Sequence, residues 1–211
     1  GTDIENFKNN KPISLLSKWC PSINTSSKKT VEMAKTFCKK FGWTHSKYRK
    51  TLSNLRKYLK VVECQMCANK WDEIDYNVVP SKANLLYRNA FMKHDEARRK
   101  EYLEKLKKND GSAKINATVL DPYEIVHKYF DKDTTWYWGG DDRLRDVGED
   151  DTTELLWKNL PQMDILKGKN MICVHDNSGS MGCGVSLNSL VTARDVADSL
   201  AIFCSELLYV A

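Results

Sequence analysis

Residues 174–182 read VHDNSGSMG, and Asp176, Ser178 and Ser180 place a side-chain oxygen at every second position. One carboxylate and two hydroxyls are hard donors. Together they offer half of the oxygen shell that Mg2+ (or Mn2+) takes, directly or through retained waters. Gly179 and Gly182 let the backbone bend tightly and admit a ligand closely. The same residues also fit a plain polar turn between a strand and a helix, with Asp and Ser capping the helix. Catalytic readings have less behind them. The glycines of a G-x-S-x-G elbow do not flank Ser178 or Ser180, and there is no phosphate-loop or G-x-G-x-x-G pattern. His175 would point opposite to Asp176 on a strand. No nucleophile, base and orienting group stand together, so the reading is not an enzyme.

A second set of residues suits a different chemistry. From Lys28 to Lys60 there are 11 Lys and Arg and a single Glu. Lys39, Lys40, Lys47, Arg49, Lys50, Arg56, Lys57 and Lys60 are the candidate contacts to a phosphate backbone. Trp43, His45 and Tyr58 lie among them for base stacking. A solvated lysine face is the competing reading. Nothing in this pattern separates RNA from DNA. Of the seven cysteines, only Cys64 and Cys67 in ECQMC have metal-ligand spacing. With no second such pair, they read as small buried residues on a helix.

Both sets need elements to position them. KKTVEMAKTFCKKFG places Val31, Ala34, Phe37, Cys38 and Phe41 on one stripe, with Gly42 as the stop. The next helix is capped by Thr44 or Ser46 and buries Tyr48, Leu52, Leu55 and Leu59. A third starts at Ser81 after Pro80, carrying Leu85, Leu86 and Phe91. A fourth begins at Asp95 and ends at Asn109–Gly111, and a fifth has Asp121 as N-cap and Pro122 at N1. ELLWKNLPQM reads as one more short helix, and the first ~25 residues as an irregular lead-in. NMICVHD then reads as a buried parallel strand, followed by a long helix with Leu190, Ala193, Ala197, Leu200, Ala201, Cys204 and Leu208 at helical spacing.

The expected fold is mainly α: a helical bundle or HEAT-like repeat region, then the first β-α unit of a doubly wound α/β domain. Residues 1–130 form the basic all-α region, 131–165 an acidic linker with a connecting helix, and 166–211 the start of the α/β domain. The net charge of +5 hides a split. Residues 1–108 carry 24 Lys and Arg against 11 Asp and Glu; residues 109–211 carry 9 against 17. The basic part favours polyanions. An odd cysteine count without a secretory leader predicts thiols in a reducing, intracellular (cytoplasmic) compartment, and the longest apolar run, SLAIFC, predicts no membrane partner.

The D-x-S-x-S pattern of DNSGSM resembles the first loop of the metal-ion-dependent adhesion site of von Willebrand A domains. A basic α region before it is similar to the Ro ribonucleoprotein architecture, the TROVE module plus an A domain. The stretches LRKYLKVVECQMCANKWDEIDYNVVPSKANLLYRNAFMKHD and KINATVLDPYEIV look more closely like an uncharacterised family of plants, fungi and giant DNA viruses of the mimivirus kind. WDEIDYNVVPS is the most specific block of that likeness. The resemblance implies a helical ring that binds structured non-coding RNA. It also implies a metal site completed by a Thr and an Asp from later loops, whose open position takes a partner protein's carboxylate. A virion or virus-factory location follows from the same likeness and from a Lys- and Asn-rich composition.

Overall fold

The computed structural model describes residues 2–109, 111–129, 148–163, 172–186, 189 and 191–209. Most of the expected acidic linker, 131–165, and the start of the expected strand lie outside the described residues. The chain forms two compact units, Gly1–Ile74 and Asp75–Ala211. The boundary therefore falls inside the stretch read as one basic region.

The first unit contains α1 (Thr2–Lys8), α2 (Leu16–Trp19), α3 (Lys28–Phe41), α4 (His45–Tyr58) and α5 (Val62–Cys67). The two long helices begin and end where side-chain chemistry dictates. The Ser27 hydroxyl accepts from the Thr30 amide at the start of α3, and Gly42 closes it in the left-handed region at φ 63°. Thr44 caps α4 by accepting from the Lys47 amide. Ala34, Cys38, Tyr48 and Leu52 form the core, with Cys20, Ile23, Phe37 and Trp43 packed against it. Helix α4 is the hub and packs on the other four helices of its unit. The lead-in is more ordered than its polar composition predicts. Asp3 accepts from both the amide and the hydroxyl of Ser14, at 3.0 and 2.6 Å, which closes α1 onto the following loop.

The second unit contains α6 (Ser81–His94), α7 (Glu96–Lys108), α8 (Pro122–Val126), α9 (Asp151–Lys158) and α10 (Ala193–Tyr209). Asp121 and Glu124 form the capping box of α8. Leu85, Ala117, Leu120, Ile125, Leu156, Leu160 and Phe203 make its apolar core. Phe203 ties α10 into that core, and Trp157 meets it edge-on at 5.6 Å between ring centroids. Leu86 was expected inside beside Leu85 but is 62% exposed. Successive residues stand about 100° apart on a helix, so the two cannot share one narrow buried stripe.

The fold is mainly helical, as expected. The expected strand is different: residues 172–176 adopt no regular structure, and Ile172 and Val174 are 86% and 85% exposed. Among the described residues the isolated antiparallel bridge Gly184–Thr192 is the β pairing recorded. A strand needs a hydrogen-bonded neighbour, and none of the described residues supplies one to this segment.

Candidate functional site

The 176 loop is built on the amino-terminal end of α10. The side chain of Thr192 accepts from the Asp195 amide at 3.1 Å, and Asp195 accepts from the Thr192 amide at 2.8 Å. This reciprocal box satisfies the helix start without the loop's own Asp or Ser residues. Arg194, in the first turn, then reaches back. Its Nη2 donates to the carbonyls of Asn177 and Ser178 at 3.1 and 3.0 Å. His175 Nε2 lies 3.0 Å from Asp198 Oδ1, one turn further along α10.

Within the loop the three expected ligand residues come together. Asp176 Oδ1 accepts from the Ser178 amide at 2.8 Å, and the Ser178 and Ser180 hydroxyl oxygens are 3.1 Å apart. A short 3-10 turn, Gly179–Gly182, follows. The Ser178 amide and hydroxyl, in that order, hold the Asp176 carboxyl below the usual carboxylate range, and His175 and Arg194 add to the effect. The carboxylate is thus ionised and exposed at neutral pH. Adjacent vertices of a Mg2+ octahedron with bonds of about 2.1 Å stand about 3.0 Å apart, so the hydroxyl spacing and hard-oxygen chemistry suit that ion. Among the described residues, no group of three or more His, Cys, Asp or Glu forms a metal cluster.

The basic set lies in the first unit. Lys39, Lys40, Lys47, Arg49, Lys50, Lys57 and Lys60 are all exposed, on the end of α3, along α4 and, for Lys60, just past its end. Arg56 is different. Its guanidinium donates to Ser17 O at 3.0 Å, Ser22 Oγ at 2.8 Å and Cys20 O at 2.6 Å, clamping the α2 region to α4. Its donors serve the fold. Arg56 is among the expected phosphate contacts because sequence says nothing about what an adjoining loop demands of it.

Beside the cations runs a chain of aromatics. Phe37 and Phe41 stack at 6.2 Å, Phe41 meets Trp43 at 5.9 Å, and Trp43 meets Tyr48 at 6.4 Å. Lys47 Nζ sits 5.2 Å over the Trp43 ring. Phe41, expected on the buried stripe, is 57% exposed. The helix end at Gly42 leaves it at the rim. Cys64 and Cys67 lie on α5, the helix expected, but they are not the buried residues expected, because the short helix leaves this face at the surface. Cys64 is half-buried, with its thiol pushed up by burial, and Cys67 is exposed. Among the described residues, no helix is long and apolar enough to cross a membrane.

A family model described as a domain of unknown function, DUF2828, matches residues 43–163. An uncharacterized protein of Acanthamoeba polyphaga mimivirus is 31% identical over 131 residues, covering 56% of this chain and 23% of that protein. The chain therefore spans less than a quarter of that relative's length. No solved structure matches.

Proposed function

Because this chain belongs to the DUF2828 family, whose description assigns no activity, we propose a function from its surface: it is a non-enzymatic RNA-binding protein that also carries a divalent-metal recognition loop. The observation behind the RNA reading is the exposed ring of Phe41, against Phe37 and Trp43, with Lys47 over the Trp43 ring and the exposed Lys39 and Lys40 next to it in sequence. An apolar ring left in water on a lysine-rich surface suits an unstacked base and its phosphates. Each stacked base contributes about 1–3 kcal/mol. Lys50, Lys57 and Lys60 extend the basic surface along α4.

The metal reading takes residues 166–211 as the first strand, loop and helix of a von Willebrand A-like domain in a Ro-like architecture. It is supported by the hydroxyl spacing of Ser178 and Ser180, and by α10 being capped by other residues. Exposed, β-branched Ile172 and Val174 at alternate positions also suit a strand with a further strand to pair with. Asp176, Ser178 and Ser180 would hold the ion, directly or through water. The ion supplies a coordination position that a partner's carboxylate can fill.

The test is binding to a pool of structured and single-stranded RNA, titrated with salt and compared with duplex DNA. The expected result is micromolar or tighter RNA affinity with a log–log salt slope of about −0.7 per phosphate contacted on single strands. Phe41→Ala should cost about tenfold in affinity. The combined charge reversal of Lys39, Lys40 and Lys47 should also flatten the slope. Absence of RNA binding at low salt overturns the RNA reading. The molecule would then be a protein-interaction scaffold working through the Asp176 loop.

A further inference from the structure

In the second unit, the end of α8, α9 and α10 enclose a cleft of about 220 Å³, and its described lining residues all lie outside the Asp176 loop. A void of roughly 150 Å³ already admits a benzene-sized molecule, so this one takes a single side chain or a small organic ligand. Ile125 is buried, whereas Glu154 and Glu206 are exposed, so the cleft is apolar inside and acidic at its opening. Its hydrogen-bond inventory decides what it can hold. Tyr129, Thr153 and Trp157 carry the donors among the lining side chains, and all three are committed. Thr153 Oγ1 donates to the Asp150 carbonyl at 2.8 Å, which uses its single hydrogen. The Tyr129 hydroxyl, 2.6 Å away, is therefore the donor to Thr153. Trp157 Nε1 donates to Glu206 Oε2 at 2.7 Å. What these side chains still offer is acceptors: the remaining lone pairs of Glu154, Glu206 and the Tyr129 oxygen. Lys158 Nζ, 2.9 Å from Glu154 Oε1, offsets one of the two carboxylates.

We propose that this cleft binds an organic cation with N–H donors on an apolar stem, the chemistry of a lysine or arginine side chain or of a free alkyl amine. The stem packs on Ile125 and Ile202. The charged head donates to the open oxygens of Glu206 and Glu154, and the Trp157 indole adds cation–π attraction. An anion or a neutral acceptor finds no free side-chain donor among the lining residues. The Trp157–Glu206 bond joins α9 to α10 and holds both side chains before a ligand arrives, so little ordering is left for binding.

The probes are n-butylammonium and n-butylguanidinium, titrated into the isotope-labelled chain while the indole N–H signal of Trp157 is followed by NMR. Trp157→Phe identifies that signal among the six tryptophans. A ligand this small should bind with a Kd on the order of 1 mM. n-Butanol and butyrate, with similar stems, should leave the signal in place. Tetramethylammonium, charged but without N–H donors, should bind several-fold more weakly. Glu206→Gln keeps an acceptor for the indole and removes the charge, at an exposed position that tolerates the change. It should weaken n-butylammonium binding about fivefold, the upper end for an exposed charge pair. Lys158→Met frees Glu154 and should strengthen binding by a similar factor. Nα-acetyl-lysine and Nα-acetyl-arginine methylamides distinguish the sources: binding as tight as the bare amines supports a partner protein's side chain, and their exclusion supports a free amine. The proposal is overturned if neither amine moves the signal at roughly twenty times the expected Kd. It is equally overturned if butanol, butyrate or tetramethylammonium does as well, or if Glu206→Gln binds like the parent.

Discussion

Arg99 is fully buried in α7, with no exposed surface. Its guanidinium lies 4.9 Å from the Tyr76 ring centroid and 5.2 Å from those of Phe91 and Tyr102. Nη1 donates to Asn84 Oδ1 at 3.0 Å and Nη2 to Thr152 Oγ1 at 3.2 Å, linking α7 to α6 and α9. The nearby carboxylate of Asp150 pairs with Arg88 instead. Burial, the largest cause, pulls the Arg99 pKa down. Among the described residues, the cation is therefore held by rings and neutral acceptors rather than by a contacting counter-ion. Arg99→Met keeps most of the volume and removes the charge and its hydrogen bonds. It strands Asn84 Oδ1 and Thr152 Oγ1, at about 1–3 kcal/mol each. It also gives up ring attractions of up to about 2 kcal/mol apiece in a dry site. Against this, the several kcal/mol spent on desolvating a guanidinium is recovered.

The balance predicts a net loss of about 2 kcal/mol for Arg99→Met. Arg99→Ala should lose about 2 kcal/mol more, because it also opens a cavity. For a chain of this size, 2 kcal/mol lowers the midpoint by about 4–8 °C. Urea and thermal unfolding followed by circular dichroism measure the loss. Amide exchange in α6 and α7 locates it in the second unit. The double variant Arg99→Met with Asn84→Leu removes both ends of one bond, so its cost should fall short of the sum of the singles by about 1 kcal/mol. The reasoning is refuted if Arg99→Met is as stable as the parent. That outcome would mean that relief of desolvation outweighs the stranded acceptors and the rings together.

In the first unit, Arg56→Lys keeps the charge but cannot reach three acceptors at once, so it should destabilise by about 2 kcal/mol in urea titrations. The Tyr48 hydroxyl donates to Pro21 O at 2.9 Å, and burial pushes its pKa up to about 12. The folded value lies above the ordinary value near 10, so its contribution is complete below pH 10 and lost as pH rises through about 12. Tyr48→Phe should cost about 1 kcal/mol at pH 8 and make the urea midpoint less steep between pH 10 and 12. For the metal loop, Asp176→Ala with Ser178→Ala should abolish thermal stabilisation by Mg2+ or Mn2+; an unchanged response in the double variant removes the metal reading.

The helices that sequence patterns located are those whose signals are local. Ser27, Gly42, Thr44, Pro80, Asn109 and Asp121 act within one turn of their own position, and α3, α4, α6, α7 and α8 start or stop beside them. What local pattern could not convey depends on partners distant in sequence. Arg99 sits in DEARRKEY and looks like one more surface cation. Its burial is decided by Tyr76, Phe91 and Thr152, which only the folded chain brings near. Arg56 is one of several cations on α4, with Arg49, Lys50 and Lys57, yet its donors are taken by residues 17–22. The same limit explains the candidate site. Asp176, Ser178 and Ser180 could be read from spacing because the turn is self-contained. The contacts of Arg194 with Asn177 and Ser178, and of His175 with Asp198, could not, since they require the segment to be laid against a helix. One signal was nonetheless present: Arg194 and Asp198 stand four apart on α10, while 177 and 175 stand two apart along the segment. The two periods of 3.6 and 2 coincide over one helical turn. An antiparallel match of charged or polar residues in those two periods is therefore a searchable pattern in other chains of this family, where it should retain the Arg194–Asp198 spacing if the loop is held in the same way.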